Sequence, residues 1–556
     1  MKKLINDPRD VVRETLEGLA LVSPGLALLQ GETVVLRTDL PTDPLSRSVA
    51  VLSGGGSGHE PAHAGYVGEG MLSAAIAGDV FTSPSVDAVY NAIRATAGPA
   101  GALLIVKNYT GDRLNFGLAA ELARQEGIPV EIVTVADDVS LRDTVARNRR
   151  RGIAGTILVH KIAGAAAAKG YTLARVAALA RQAGDTVGTM GVGLGSCTVP
   201  AAGVPSFELA DDEIEFGLGI HGEKGVRRGS MQSADALVRI MLEPLLDEMK
   251  LRHGQRVALL VNGLGATTPM ELAIVTRAAF AELSGQDIVI ARAWTGPLMT
   301  ALDMAGCSIS LLPLDDELTS LLDEPARAPA WPGGGKVVRT PTMVAVPSHK
   351  EPEGEVADGP LSEKLRHVVG LVADSLDDAE RHLTDLDSRA GDGDLGASMA
   401  RGAAALRGLS AASFASPASL LLAGGQALRR AIAGSSGPFY ATALLRASKC
   451  LSGVAEPDEQ QWRAAFEAGV AAIGELGDAK AGDRTMLDAL IPACDAWRTG
   501  TWRQAVQAAE TGAQQTAGMY PRVGRASYLG DRATGSPDAG AAAVVVWMGA
   551  ISKALG

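Results

Sequence analysis

Three carboxylates and three glycines share one short stretch, LTDLDSRAGDGDLGAS at 383–398. It sets Asp387, Asp392 and Asp394 among Gly391, Gly393 and Gly396. On one continuous helix these acids would not converge. Asp394 would lie roughly 10 Å along the axis from Asp387, and Asp392 would point elsewhere. The glycines let the chain leave the helix and turn back. Three acids folded into one pocket resist joint ionisation unless a cation joins them. The pattern therefore suits a divalent metal, Mg²⁺ with phosphate oxygens completing the shell. The plainer reading is a solvated acidic turn after a helix. An EF-hand is excluded, because the twelfth position from Asp392 is Ala403 and not Glu.

Three further stretches could do chemistry. VAVLSGGGSGHEPAHAGYVG begins as a strand and ends in glycines followed by His59 and His63. Such a loop lies at the carboxyl edge of a sheet, where α/β folds bind ligands. Gly54, Gly55, Gly56 and Gly58 would let backbone N–H groups approach a small polar molecule. The loop lacks the Lys-Ser/Thr ending of a Walker A motif. A tight strand–helix turn around a buried, satisfied histidine would read the same way. LLIVKNYTGDRLNF places Lys107, Asn108 and Asp112 at a second strand tip, although an Asp after Gly is commonly just a turn residue. FGLGIHGEKGVRR holds His221 between glycines, available as a nucleophile, base or ligand.

These loops need strands and helices to present them. Residues 1–330 alternate apolar runs with helical patterns, which predicts an α/β domain with a largely parallel sheet. Strands are expected at 49–52, 102–106, 130–135, 156–159, 257–261, 288–291 and 308–312, with helices at 118–126 and 173–183. Two subdomains, about 1–185 and 186–330, would meet near the glycine-rich run 184–195. GVGLG in that run is a weak dinucleotide fingerprint with no clear strand before it. Residues 331–360, rich in proline, glycine and mixed charge, read as a linker with one short strand at 344–346. From 361 to 556 strand signals vanish. Helical spacing recurs at 361–383, 396–406, 417–430, 439–450, 460–476, 486–497, 502–515 and 540–554, which predicts an all-α bundle or barrel.

The bulk properties narrow the function classes. A chain of 556 residues holds two to four domains. Its net charge of −12 argues against a nucleic-acid partner. The longest apolar run, near 541–551, is too short to span a bilayer, so no membrane partner is expected. The N-terminus does not read as a signal peptide. Four cysteines without a CxxC pair suit a reducing cytoplasm.

Taken together, SGGGSGHEPAHAG, KNYTGD and GLGIHGEKGVRR resemble the substrate domain of dihydroxyacetone kinases. DSRAGDGDLG, GSSGPFY, GDRTMLDAL and GRASYLGDRATGSPDAG resemble that family's nucleotide-binding domain. The match covers nearly the whole chain, in the order of the single-chain, ATP-dependent type. The resemblance implies an α/β substrate domain of two subdomains followed by an eight-helix up-and-down barrel. It implies that His221 adds through its imidazole to a ketone as a covalent hemiaminal. Asp112 would be the base for the attacking hydroxyl, His59 would assist, and Lys107, Gly56 and Ser57 would hold the substrate. Asp387, Asp392 and Asp394 would bind two Mg²⁺ ions carrying ATP. Leu395, Gly396, Ala397, Ser398, Ser435, Ser436 and Gly437 would contact phosphates. Gly477, Thr485 and Met486 would form the nucleoside pocket, with Arg525, Asp538, Ala539 and Gly540 in a lid over it.

The expected activity is transfer of the ATP γ-phosphate to a short-chain ketose. Dihydroxyacetone comes first and D- or L-erythrulose is the alternative. Lyase activity on FAD is expected only as a side reaction, and the intact set of chemical residues argues against a non-catalytic regulator. The resemblance also favours a homodimer with domains exchanged, which such a linker could reach. The chain departs from the family pattern at Leu395, at Ala539 and at Lys224, where proline is frequent close to His221.

Overall fold

The computed structural model describes residues 2–205, 207–346 and 359–556, without the side chains of residues 525, 531 and 532. The chain divides into two compact units, Met1–Met343 and Val344–Gly556.

The first unit holds two six-stranded sheets. One contains β1 (Leu26–Leu28), β2 (Val34–Arg37), β3 (Ala50–Ser57), β4 (Ala74–Val80), β5 (Ala102–Lys107) and β6 (Val130–Val135), in the order β1-β2-β4-β3-β5-β6. Strands β4, β3, β5 and β6 run parallel, so Ser57, Val80, Lys107 and Val135 end at one edge. Every residue of β3 is buried. Its side chains alternate between two apolar layers. Val51, with Val49 just before the strand, belongs to the layer that contains helices Thr156–Ala168 and Leu173–Thr186, while Ala50 and Leu52 belong to the layer that contains Val86–Thr96 and Thr110–Gln125. Each fully buried Val, Leu or Ile in these layers contributes roughly 1.5–3 kcal/mol. Ser85 and Thr172 cap two of these helices by accepting from Ala88 N and Arg175 N.

The second sheet contains β7 (Gly188–Gly193), β8 (Glu213–Phe216), β9 (Arg227–Ser230), β10 (Arg256–Gly263), β11 (Val289–Gly296) and β12 (Gly306–Pro313), ordered β11-β10-β12-β7-β8-β9. Only β10 and β11 pair in parallel, which corrects the expectation of a largely parallel arrangement. Strands β7, β8 and β9 follow one another through loops with no crossover helix, so antiparallel pairing is the short route. The glycine-rich run 184–195 contains β7 itself. Gly188, Gly191 and Gly193 sit within the strand, not in a phosphate loop.

Three other expectations change. Residues 156–159 open the helix Thr156–Ala168, all but the last of whose residues are buried. A helix apolar on every side has no amphipathic period to separate it from a buried strand. Residues 344–346 form no strand. The stretch 331–343, expected in the linker, belongs to the first unit, where Trp331 packs against Trp294 with ring centroids 4.8 Å apart. The rest of the expected linker, 347–358, lies outside the described residues.

The second unit is helical throughout its described residues. Pro360–Asp378 and Glu380–Ala390 meet at Ala379 and act as one bent helix. Seven more follow: Leu395–Arg407, Pro417–Ala431, Ser436–Cys450, Glu459–Gly477, Leu487–Thr499, Trp502–Gln515 and Ala539–Leu555. Each packs on the next, and Pro360–Asp378 touches both Leu395–Arg407 and Ala539–Leu555, which closes the ring. In this up-and-down order the connections 391–394, 432–435, 478–486 and 516–538 fall at one end. Among the described residues no helix is long and apolar enough to cross a membrane.

Candidate functional site

In the first unit the site forms where β3 and β5 end. A Cβ on Gly55, at φ +145°, would lie 3.2 Å from Lys107 Nζ and 3.4 Å from Asp112 Oδ2. The bare glycine is what lets both charged groups close on the strand. A Cβ on Gly56 would strike the backbone N of Thr82 at 2.5 Å. Ser57 donates its hydroxyl to Gly78 O at 2.7 Å, so its side chain serves the turn. Asp112 lies in the first turn of Thr110–Gln125 and is buried. Lys107 is fully buried, and its ammonium has no hydrogen-bond partner in the protein. Burial pushes its pKa down, while the charges of Asp112 and Glu223 oppose that shift.

His221 arrives from the other sheet, on the loop between β8 and β9. Its backbone N–H donates to Glu223 Oε2 at 2.9 Å, and its Nδ1 faces Glu223 Oε1 at 3.1 Å. A carboxylate accepts only, so Nδ1 carries a proton, and in the neutral form of the ring the lone pair is on Nε2. Burial works to raise the Glu223 carboxyl, but the hydrogen bond and charge of His221 outweigh it and hold Glu223 at about 2. Three rings pack around His221: Tyr109 at 4.5 Å, His59 at 4.8 Å and Phe81 at 5.1 Å between centroids. His59 is buried and its Nδ1 lies 2.8 Å from Thr300 O, which fixes Nδ1–H and leaves Nε2 as an unpartnered acceptor. Burial, with Lys107 and His221 nearby, holds His59 neutral, well below the usual histidine range. The site thus sets the neutral ring of His59, the ring of His221 and the buried Asp112 around the Lys107 ammonium.

His63, the second histidine of the glycine loop, packs edge-on against His160 with centroids 5.1 Å apart, and neither ring has a hydrogen-bond partner in the protein. His63 also lines a cavity of about 410 Å³ that shares Gly55, Gly56 and Ser57 as a wall. Lys224 is exposed. Sequence reasoning missed Glu223, Tyr109, Phe81 and the Thr300 carbonyl. Glu223 had a signal, since it stands two residues after His221 within the glycine motif. The carbonyl had none.

In the second unit the helix Glu380–Ala390 stops at Gly391, and Leu395–Arg407 begins after Gly393, whose φ is +75°. The turn brings one oxygen each from Asp387, Asp392 and Asp394 within 4.8 Å of one another. Asp387 Oδ2 accepts from Asp394 N at 2.9 Å and Leu395 N at 3.2 Å, which aims the carboxylate into the turn. Three hard oxygen donors at this spacing fit Mg²⁺.

The other expected nucleotide residues gather at the same end of the barrel. A Cβ on Gly540 would sit 3.7 Å from the Met486 side chain, and one on Gly477 3.0 Å from Phe439. Thr485 N donates to Asp488 Oδ2 at 2.8 Å. Asp538 accepts from Ala541 N at 2.8 Å and caps the last helix. Burial, helped by Asp488 and Asp387, pushes its pKa up to about 6. Ser435, Ser436 and Gly437 open the helix Ser436–Cys450, whose first-turn N–H groups suit an anion. Two expected contacts have other duties. A Cβ on Gly396 would strike Glu380 O at 2.1 Å, so this glycine permits helix packing, and Ser398 accepts from Arg401 Nη2 at 2.8 Å. The Arg525 side chain lies outside the described residues.

Residues 17–330 match the Dak1 domain model and residues 389–553 the DAK2 domain model. The chain belongs to the dihydroxyacetone kinase family. It carries both of the family's domains in one polypeptide and is an ATP-dependent kinase. The triokinase/FMN cyclase of Homo sapiens is 43% identical, over 100% of this chain and 99% of that protein. The D-erythrulose kinase of Mycolicibacterium smegmatis is 35% identical, over 98% of this chain and 97% of that one. The crystal structure of the Citrobacter freundii dihydroxyacetone kinase with AMP-PNP and Mg²⁺ superposes with a TM-score of 0.65 at 37% identity, covering 99% of both chains. ATP and Mg²⁺ use follow for this family member, and its substrate is a small ketose or triose.

Proposed function

We propose that this kinase phosphorylates dihydroxyacetone held as a hemiaminal on His221. The Glu223–His221 pair carries the reading, because Nδ1–H is committed to a carboxylate and Nε2 is left as a nucleophile. In the capture step Nε2 attacks the ketone carbon, a C–N bond forms and the carbonyl π bond breaks. The oxygen takes up a proton from the Lys107 ammonium and becomes a hydroxyl. The N-alkylated ring keeps its Nδ1 proton, and the Glu223 carboxylate, held at about 2, offsets the positive charge. A polyol has no such electrophilic carbon, so covalent capture selects ketones over glycerol beyond what hydrogen bonding gives.

Lys107 donates to the held substrate, and the neutral Nε2 of His59 accepts from it. Asp112 takes the proton of the terminal hydroxyl as its oxygen attacks the γ-phosphorus of ATP, and ADP leaves. Asp387, Asp392 and Asp394 would hold two Mg²⁺ ions, which neutralise charge on the transferring phosphoryl group. Residues 435–437, 485–486 and 538–540 would hold the nucleotide in a homodimer.

A substrate panel tests the ketose. The ratio kcat/KM should be higher for dihydroxyacetone than for either erythrulose enantiomer, and a higher value for erythrulose would replace the substrate while keeping the chemistry. The 35% identical D-erythrulose kinase makes that the second reading.

A further inference from the structure

Behind His221 lies an ion pair that the reaction described above does not use. Arg151 follows β6, in the half of the unit that carries Lys107 and Asp112. Its Nε donates to Asp138 Oδ2 at 2.7 Å, with the two side chains only 13% and 2% exposed. Asp138 is held in turn, accepting from Ser140 N at 3.0 Å and Ser140 Oγ at 2.6 Å. The other prong of the guanidinium, Nη2, donates to Gly217 O at 2.7 Å. Gly217 opens the loop that presents His221. It has φ +71°, and a Cβ there would strike the Ser140 side chain at 2.5 Å. Two residues on, a Cβ on Gly219 would lie 1.9 Å from Glu223 Oε2 and 2.7 Å from Arg151 Nη1. Guanidinium and carboxylate therefore approach the loop around the same bare glycine.

Taking this pair out of water costs free energy, and well-packed apolar side chains would often do as well for stability alone. What apolar side chains cannot do is bind a carbonyl and fix a loop's register. Arg151 reaches from the first sheet's edge to a loop of the second sheet, so it sets where His221 stands relative to Lys107 and Asp112. We propose that Arg151, oriented by Asp138, is a positioning residue for the nucleophile: it anchors the Gly217 carbonyl and holds the Glu223–His221 pair in line for attack on the ketone. This rests on the covalent reading given above.

The test uses full-length wild type, Arg151→Met, Arg151→Lys and Asp138→Asn. Adduct formation with dihydroxyacetone is followed by native mass spectrometry without ATP, and kcat/KM is measured for the ketose alongside KM for ATP. Arg151→Met should weaken adduct formation at least tenfold and lower kcat/KM for the ketose about a hundredfold, leaving KM for ATP within twofold. Arg151→Lys, which keeps the charge but not the two-pronged grip, should recover part of the loss. A purely structural role would lower thermal stability or yield and leave the adduct constant of the folded protein alone. Folded Arg151→Lys and Asp138→Asn proteins with wild-type adduct constants and wild-type kcat/KM would overturn the proposal, even if Arg151→Met fails to fold. If wild type forms no adduct, the covalent reading fails. The positioning role then stands or falls on kcat/KM for the ketose.

Discussion

Glu223→Gln is the sharpest single perturbation of the ketose site. Gln keeps the size of Glu and an oxygen facing His221, but it loses the charge. The Glu223 carboxyl is held at about 2 against an ordinary 4.5. At about 1.36 kcal/mol per pH unit, that difference corresponds to about 3 kcal/mol of interaction with its surroundings, chiefly His221. The side chain is 35% exposed, so solvent screening reduces the usable part to about 1–2 kcal/mol. Losing that from the transition state lowers kcat/KM for the ketose by about 5- to 30-fold. The amide adds a further hazard, since its NH₂ can donate to Nδ1 and drive the proton to Nε2, which removes the nucleophile. The assay is steady-state kinetics with each substrate varied in turn: kcat/KM for the ketose should fall while KM for ATP stays unchanged. Acid stability gives a second readout. The folded carboxyl is depressed, so its contribution is complete above about 4.5 and is lost as pH falls toward 2. Glu223→Gln should flatten that part of the unfolding curve. A variant with wild-type kcat/KM for the ketose would refute the orienting role of Glu223.

Three other outcomes follow. Asp392→Asn should raise the Mg²⁺ concentration for half-maximal activity at least about tenfold, whereas an unchanged Mg²⁺ titration would place the metal elsewhere. His160 is held down to about 3 by burial and by Lys107, so between pH 6.5 and 3 the unfolded chain takes a proton that the folded one refuses. His160 should therefore contribute about 2 kcal/mol to the loss of stability at pH 5, alongside the likewise depressed His59 and His63, and His160→Leu should make the slope shallower by that share; an identical dependence of Tm on pH in the variant would contradict this. Mixing His221→Ala chains with Asp392→Asn chains should restore activity if the two sites cooperate between subunits, and an inactive mixture with proven subunit exchange would count against an exchanged dimer.

Much of both sites was legible in the sequence because unusual backbone demands unusual residues. Gly55 stands against Lys107 and Asp112, and Gly391 and Gly393 turn the chain between Asp387 and Asp394, so the glycines betray the site before the charged residues do. The helical half was legible through its period. What stayed hidden depends on distance in the chain. Arg151 meets Gly217 O across 66 residues, and His59 meets Thr300 O across 241. Both partners are backbone carbonyls, which every residue type offers. Strand β4 was missed because Ala and Gly are poor strand formers, and its place in the sheet comes from burial between β2 and β3. The helix Thr156–Ala168 was misread because burial on all sides leaves no polar face to mark the period.

Covalent capture depends on one bond, between His221 Nε2 and the substrate ketone carbon. Native mass spectrometry of wild type and His221→Ala with dihydroxyacetone, without ATP or reductant, tests it most directly. Wild type should gain the mass of one whole substrate molecule with no loss of water, and His221→Ala should gain nothing and turn over no ketose. An adduct that persists in His221→Ala, or a variant that keeps full turnover, would contradict the covalent capture.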